Sequence, residues 1–161
     1  MSKPTKIVVV GAGFGGIYAF KKLRKLFKND KSVQITLVDK ANHFVFTPML
    51  HEVATGGLNP YSVAEPLRKI MGKFTGKGQI DFRQVEVKSL DVAGKKLETS
   101  SGPIKFDYLV MAMGSGTNFF NTPGASEHAY TLKSVSQAVV TTFELLKYTF
   151  TLGHASSAKD N

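Results

Sequence analysis

Four glycines stand within six positions in Gly11-Ala12-Gly13-Phe14-Gly15-Gly16, and an acid, Asp39, follows 26 positions after Gly13. In a G-x-G-x-x-G spacing each glycine has a separate physical task. Gly11 makes a tight turn, Gly13 lets an anionic group approach the backbone, and Gly16 lets a helix pack closely on a strand. A pyrophosphate suits such a turn, because free N–H groups and the dipole at a helix N-terminus favour an anion. Asp39 can accept hydrogen bonds from ribose hydroxyls, and its charge disfavours a 2′-phosphate. The chemistry implied is capture of a dinucleotide.

The flanking elements fit that task. Ile7-Val8-Val9-Val10 is a β-branched run suited to a buried parallel strand. Ile17 to Phe27 reads as an amphipathic helix, and Val33 to Val38 as a second strand that ends at Asp39. Strand, glycine turn, helix, strand and acid together define a Rossmann-like βαβ unit, and the fold class is α/β. The motif alone leaves NAD and FAD open.

Beyond Asp39 the pattern changes. Lys40 to Leu50 is rich in aromatics and punctuated by Pro48, with a helix expected from Pro48 to about Ala54 and stopped by Gly56-Gly57. Ser62 reads as the N-cap of a helix over Val63 to Met71, with Glu65 completing a capping box and Pro66 near its start. Ile80, Phe82, Val85 and Val87 alternate with polar residues, and Gly94 and Ser101-Gly102-Pro103 mark turns, which predicts a small β-meander from Ile80 onward. Tyr108 to Met113 is another buried run, closing at Gly114 in an Ala-x-Gly turn. A last helix is expected from about Leu132 to Leu152.

Composition narrows the chemistry. The 161 residues are 42% hydrophobic and 20% charged, as in an ordinary globular domain. With no cysteine, disulfides, thiolate zinc sites, thiol nucleophiles and dithiol redox centres are excluded within these residues. No apolar run reaches the roughly 18–20 residues that span a bilayer. Lys3 and Lys6 precede the apolar stretch Ile7 to Phe20, yet its four glycines and direct run into Lys21-Lys22 oppose a secretory signal. His43, His51, His128 and His154 show no metal-ligand spacing, and Ser115 and Ser134 lack a base, so no catalytic residue and no metal site is expected. Phe74, Phe82, Phe106, Phe119 and Phe120 read as core or interface aromatics.

The net charge of +9 is uneven: residues 1–40 hold nine Lys or Arg against two Asp. Most of the excess is Lys21, Lys22, Arg24, Lys25, Lys28 and Lys31. These read first as the solvated face of a helix whose core side is Leu23, Leu26 and Phe27, and second as attraction to an anionic membrane. Nucleic acid is disfavoured, since Phe27 alone interleaves with the charges.

These motifs occur in the order found in type II NADH dehydrogenases, and the chain resembles the N-terminal part of that family within the two-dinucleotide-binding-domain flavoproteins. The resemblance spans about residues 5 to 150. It rests on the glycine turn, Leu37 to His43, Phe46 to Leu50, Val53 to Leu58, Phe106 to Ser115, Pro123-Gly124-Ala125, Glu127-His128-Ala129 and Leu132-Lys133-Ser134. It implies FAD as cofactor, held by Gly11, Ala12, Gly13, Phe14, Gly15 and Gly16 at the pyrophosphate. Asp39 would meet the adenosine ribose, with Lys40 beside the adenine and Val85 touching it through the backbone. Thr47 and Pro48 would lie near the isoalloxazine, and Ala112, Met113 and Gly114 would form the turn closing the site. Met113 stands where the group usually has Thr, and Asp39 is shorter than the Glu often found.

The resemblance also implies what is absent. A second G-x-G-x-x-G for NADH does not occur in these residues. Residues 1–152 are therefore expected to be the first part of an incomplete FAD/NAD(P)-binding domain, with 153–161 leading toward an NADH domain. The whole enzyme would pass a hydride from NADH to FAD and electrons to a quinone, working as a peripheral protein on the cytoplasmic side of the inner membrane. Its membrane contact would lie in a further C-terminal part, the family allows a homodimer, and this segment alone would be soluble and inactive. Rival readings are a sulfide–quinone, ferredoxin, monodehydroascorbate or apoptosis-inducing-factor-like reductase, or a dinucleotide-binding module without turnover. A third is a fragment that lacks strands and does not fold stably.

Overall fold

The β-branched run after Pro4 forms strand β1 (Thr5–Val10), and helix α1 (Phe14–Leu26) and strand β2 (Val33–Asp39) follow. The computed structural model describes residues 3–72 and 79–157, with side chains of the last helix as far as Thr151. Next come β3 (His43–Val45), a 3-10 turn over Thr47–Met49, α2 (Leu50–Ala54), a second 3-10 turn over Pro60–Val63, β4 (Ala64–Pro66) and α3 (Leu67–Met71). Strands β5 (Ile80–Gln84), β6 (Val87–Asp91), β7 (Lys96–Thr99), β8 (Ile104–Lys105) and β9 (Tyr108–Met111) precede α4 (Ala125–His128) and α5 (Val135–Ser157). The chain divides into two units, residues 1–44 with 66–115 and residues 45–65 with 116–161. Strands β3 and β4 pair in a separate two-stranded sheet.

The first unit is built on a parallel sheet in the order β5-β2-β1-β9. Side chains alternate across a strand, so Ile7 and Val9 face one way and Val8 and Val10 the other. Ile7 and Val9 pack with Ile35 and Leu37 under Ile17 and Phe20 of α1 and Leu67 and Met71 of α3. On the opposite face Val8, Val10 and Val38 meet Leu97 and Phe106, which belong to the antiparallel meander β6-β7-β8 and its exit. Both faces are covered, which is why the strand is apolar throughout instead of alternating.

Three local expectations are corrected. Ile80 to Gln84 is not part of the meander: it joins the main sheet, parallel to β2 with Ile35 opposite Ile80. Ile80 and Phe82 pack against the α1 core cluster from that position, and the meander starts at Val87. The expected helix over Val63 to Met71 is only Leu67–Met71. The Val63 carbonyl accepts the Phe46 N–H at 2.8 Å, and Pro66 disfavours helical geometry at Glu65, so residues 64–66 are extended. Asn59, not Ser62, caps the local turn, its Oδ1 accepting the Tyr61 N–H at 2.9 Å. Finally, Leu26 is 64% exposed. It lies six positions from the buried Phe20, about 240° around the helix, whereas Leu23 and Phe27 do pack on the core.

The second unit has its own small core of Leu50, Val53, Ala54, Val63 and Ala138. Thr142 Oγ1 donates to the Val53 carbonyl at 2.9 Å and so fastens α5 to α2. Helix α5 begins at Val135, not Leu132, because Ser134 and Gln137 form a reciprocal cap. The Gln137 Oε1 accepts the N–H groups of Lys133 and Ser134, and the Ser134 Oγ accepts the Gln137 N–H. The helix then runs to Ser157, past the expected end at Leu152. Phe82 and Phe106 are core aromatics, Phe120 is exposed, and Phe74 lies outside the described residues. Among the described residues no helix is long and apolar enough to cross a membrane.

Phe20 has no exposed surface and sits between α1 and the sheet. Phe20→Ala is expected to destabilise the chain by about 3–5 kcal/mol, read from urea unfolding, with a loss below about 1 kcal/mol contradicting this packing.

Candidate functional site

The loops that leave β1, β2, β5 and β9 at their C-terminal ends meet at one rim of the parallel sheet. Gly11 leaves β1 with φ +96°, a conformation that side chains disfavour, while its N–H donates to the Val38 carbonyl at 2.8 Å. On its other side the Ala112 N–H donates to the Val10 carbonyl at 2.8 Å. A Cβ on Gly11 would overlap the Ala112 carbonyl, and a Cβ on Gly16 would overlap the Gly11 carbonyl. Both glycines are required by the protein's own packing.

Gly13 differs. A Cβ there would meet nothing within 4 Å, and its φ of −73° is open to any residue. Neither packing nor backbone geometry demands glycine there, and the space beside it is open. Gly13 is also the N-cap of α1, where no side chain caps the helix and the first turn holds no acid. An anion approaching here meets backbone N–H groups and the positive end of the helix dipole. Phe14 stacks edge-to-face on Phe44, with ring centroids 5.0 Å apart, which holds the helix start beside the segment that follows Asp39.

Asp39 closes the arrangement at the end of β2. Its Oδ2 accepts the Ala12 N–H at 2.6 Å and its Oδ1 accepts the Ala41 N–H at 2.7 Å. Its main-chain carbonyl accepts the Val85 N–H at 2.9 Å. Each carboxylate oxygen keeps a second acceptor position for a ligand hydroxyl. Beside it opens a cavity of about 230 Å³, lined by Gly11, Asp39, Lys40, Val85 and Met113 and also by Glu86 and Val87.

Of the residues expected from the sequence, Ala12 and Gly16 are buried in the turn, Gly15 is exposed, and Ala112, Met113 and Gly114 follow β9 on the adjoining loop. Thr47 and Pro48 lie exposed in the 3-10 turn of the second unit. Glu86 and Val87 escaped the sequence reading. Their signal is register: Gln84 pairs with Asp39, so the residues just after it must pass the same rim.

The histidines do not build a site. His51 Nε2 lies 3.5 Å from Glu52, His128 lies 4.0 Å from Glu127, and His43 Nδ1 meets the Asn42 side chain at 3.0 Å. The side chain of His154 lies outside the described residues, and among those described no three metal-ligating side chains cluster.

A glycine turn and an acid at adjacent strand ends, beside the point where the order reverses from β2 to β9, define a dinucleotide-binding α/β protein. The chain belongs to the pyridine nucleotide-disulphide oxidoreductase family, whose pattern matches residues 5–149. It is 34% identical over 148 residues to the external alternative NAD(P)H-ubiquinone oxidoreductase B1, mitochondrial, of Solanum tuberosum, covering 85% of this chain and 24% of that one. It is 33% identical over 133 residues to the type II NADH:quinone oxidoreductase of Staphylococcus aureus, covering 83% and 32%. Among solved structures, the sulfide:quinone oxidoreductase of Aquifex aeolicus superposes with a TM-score of 0.75 at 28% identity, over 89% of this chain and 32% of that one. NDH2 of Plasmodium falciparum superposes with a TM-score of 0.70 at 27% identity, over 87% and 28%. The chain spans about a quarter to a third of the length of the curated relatives it matches. The α/β fold class and the family resemblance read from the motifs are both borne out.

The glycines separate by role in a testable way. Gly13→Ala is expected to stay within about 1 kcal/mol of the parent in thermal unfolding and yet to weaken dinucleotide binding. Gly11→Ala is expected to lose more than about 2 kcal/mol, since it adds backbone strain to a clash. Equal unfolding losses for the two variants would contradict this division.

Proposed function

We propose that the chain binds FAD as the N-terminal part of an NADH:quinone oxidoreductase. The observation that carries this reading is the open, uncapped approach at Gly13 beside the carboxylate of Asp39. A cavity of about 230 Å³ is smaller than the roughly 300–1,000 Å³ of a typical small-molecule pocket, so it suits one half of a dinucleotide.

In this reading Gly11, Gly13, Gly16 and the first N–H groups of α1 hold the pyrophosphate. Asp39 takes the adenosine ribose on its remaining acceptor positions and rejects a 2′-phosphate by charge. Lys40 and Val85 border the adenine, and Met113 in the Ala112–Gly114 turn walls the same cavity. Thr47 and Pro48 are assigned to the isoalloxazine end on the family resemblance. When bound, FAD supplies the redox chemistry between NADH and quinone, and the protein supplies binding, orientation and electrostatics.

Residues 1–152 are assigned to the FAD domain, with 153–161 leading toward an NADH-binding domain. The extra length of the relatives is where that domain, the quinone site and a peripheral membrane contact would lie, on the cytoplasmic side of the inner membrane. A homodimer belongs to the same proposal. The second reading, a sulfide–quinone reductase segment, is favoured by the likeness to the Aquifex aeolicus structure. Sulfide chemistry wants thiols, and these 161 residues, which cover 32% of that structure's chain, supply none of them.

Calorimetric titration with FAD is expected to show saturable binding that weakens about tenfold or more in Asp39→Ala, the loss of charge-assisted hydrogen bonds. A cooperatively melting chain that takes up no FAD would sink the proposal. The coding DNA beyond Asn161 is expected to continue in frame into a second G-x-G-x-x-G, and a stop codon there with no gene encoding the rest would contradict the assignment to a longer enzyme.

A further inference from the structure

Helix α1 buries Ile17 and Phe20 under the core, and its opposite side carries no such load. There Tyr18 is 72% exposed and Leu26 64% exposed, with Lys21, Lys22 and Lys25 exposed between them. Tyr18, Lys22 and Leu26 follow at steps of four, and Lys21 and Lys25 form the adjoining row. Lys28 and Lys31, also exposed, continue the charge past the helix end.

This strip is electrostatically unfavourable by itself. No acidic residue precedes Asp30 in the sequence, so no lysine of α1 finds an acid one turn before or after it on the helix. Lys21 and Lys25, and Lys22 and Lys25, are like charges at neighbouring helical positions, which repel. The helix dipole favours cations only in the last turn, where Arg24 and Lys25 stand, and gives Lys21 and Lys22 no compensation. An anionic partner would relieve that repulsion.

We propose that the outer strip of α1 docks the chain on an anionic lipid surface. Lysine heads reach phosphate while their stems lie along apolar surface, and Tyr18 and Leu26 enter the headgroup boundary between them. Tyrosine is amphipathic and suits that depth. Lipid is favoured over nucleic acid on three counts. The Arg24 guanidinium, the one planar fork of the helix, already donates to the Met71 carbonyl. The other cations are lysines, which act as point charges. Leu26 presents an aliphatic side chain where a nucleic-acid site would place a stacking ring, and Phe27 is packed on the core.

The test is co-sedimentation of the purified chain with phosphatidylserine-containing vesicles and with phosphatidylcholine vesicles, its flavin content read on the same samples. Binding is expected to the anionic vesicles alone, and to fade between about 0.01 M and about 1 M salt as the Debye length shrinks from about 30 Å to about 3 Å. Each lysine removed is expected to weaken binding about fivefold, so a Lys21→Gln, Lys22→Gln, Lys25→Gln variant falls roughly a hundredfold. That variant should melt no lower than the parent, because the repulsion is gone, which separates lost docking from lost fold. Leu26→Gln is expected to weaken binding without altering its salt dependence. Equal binding of parent and triple variant, or binding to phosphatidylcholine as strong, would overturn the proposal. So would tighter binding to duplex DNA than to the anionic vesicles. Loss of flavin with vesicle binding intact would count against the FAD reading and leave this one standing.

Discussion

The Gly11 carbonyl lies where any side chain on Gly16 would have to stand, and the Ala112 carbonyl occupies the corresponding place for Gly11. This bare backbone contact sets how closely α1 approaches the sheet and where its first turn begins. Because α1 starts there, its uncapped N-terminus opens over the strand ends and not over the middle of the sheet. The hydrogen bonds from Gly11 to Val38 and from Ala112 to Val10 then tie β1 to β2 on one side and to β9 on the other. A larger residue at either glycine would push the helix outward and loosen both the core and the first turn of α1.

Asp39 works within that frame as a polar fastening. Its carboxylate joins the glycine turn to the residue that follows β2, through N–H bonds of 2.6 and 2.7 Å. Charge-assisted bonds of this kind are roughly twice as strong as neutral ones, so the loop is held before a ligand arrives. Preorganisation lowers the ordering cost of binding. The shorter reach of Asp relative to Glu fits this double duty, since the carboxylate must stay near the main chain of the turn.

The first unit holds the glycine turn, Asp39, Val85 and Met113 at the rim of a sheet covered on both faces. The second, with Thr47 and Pro48, is held by the α2 and α5 contact. Helix α5 leaves Phe143, Tyr148 and Phe150 more than half exposed.

What could be read without coordinates was local in the chain. The glycine spacing, the β-branched run of β1 and the close of β2 at Asp39 depend on residues a few positions apart, and each stands in the structure. The helix expected at Val63 failed because a strand pairing from Phe46 and the local bias of Pro66 overrode a capping pattern. Ile80 to Gln84 was misassigned because alternation reads alike in an antiparallel meander and at the edge of a parallel sheet. Only the fold decided that this strand lies beside β2 and carries Val85, Glu86 and Val87 to Asp39. The bond from Asp39 to Ala12 spans 27 positions and leaves no periodic trace. By itself, then, the sequence determined the βαβ unit and its glycine chemistry, which short-range sterics and hydrogen bonding dictate. The tertiary structure decided which glycine is held by the protein's own packing and which stands beside open space, because that depends on atoms a hundred residues away at Ala112.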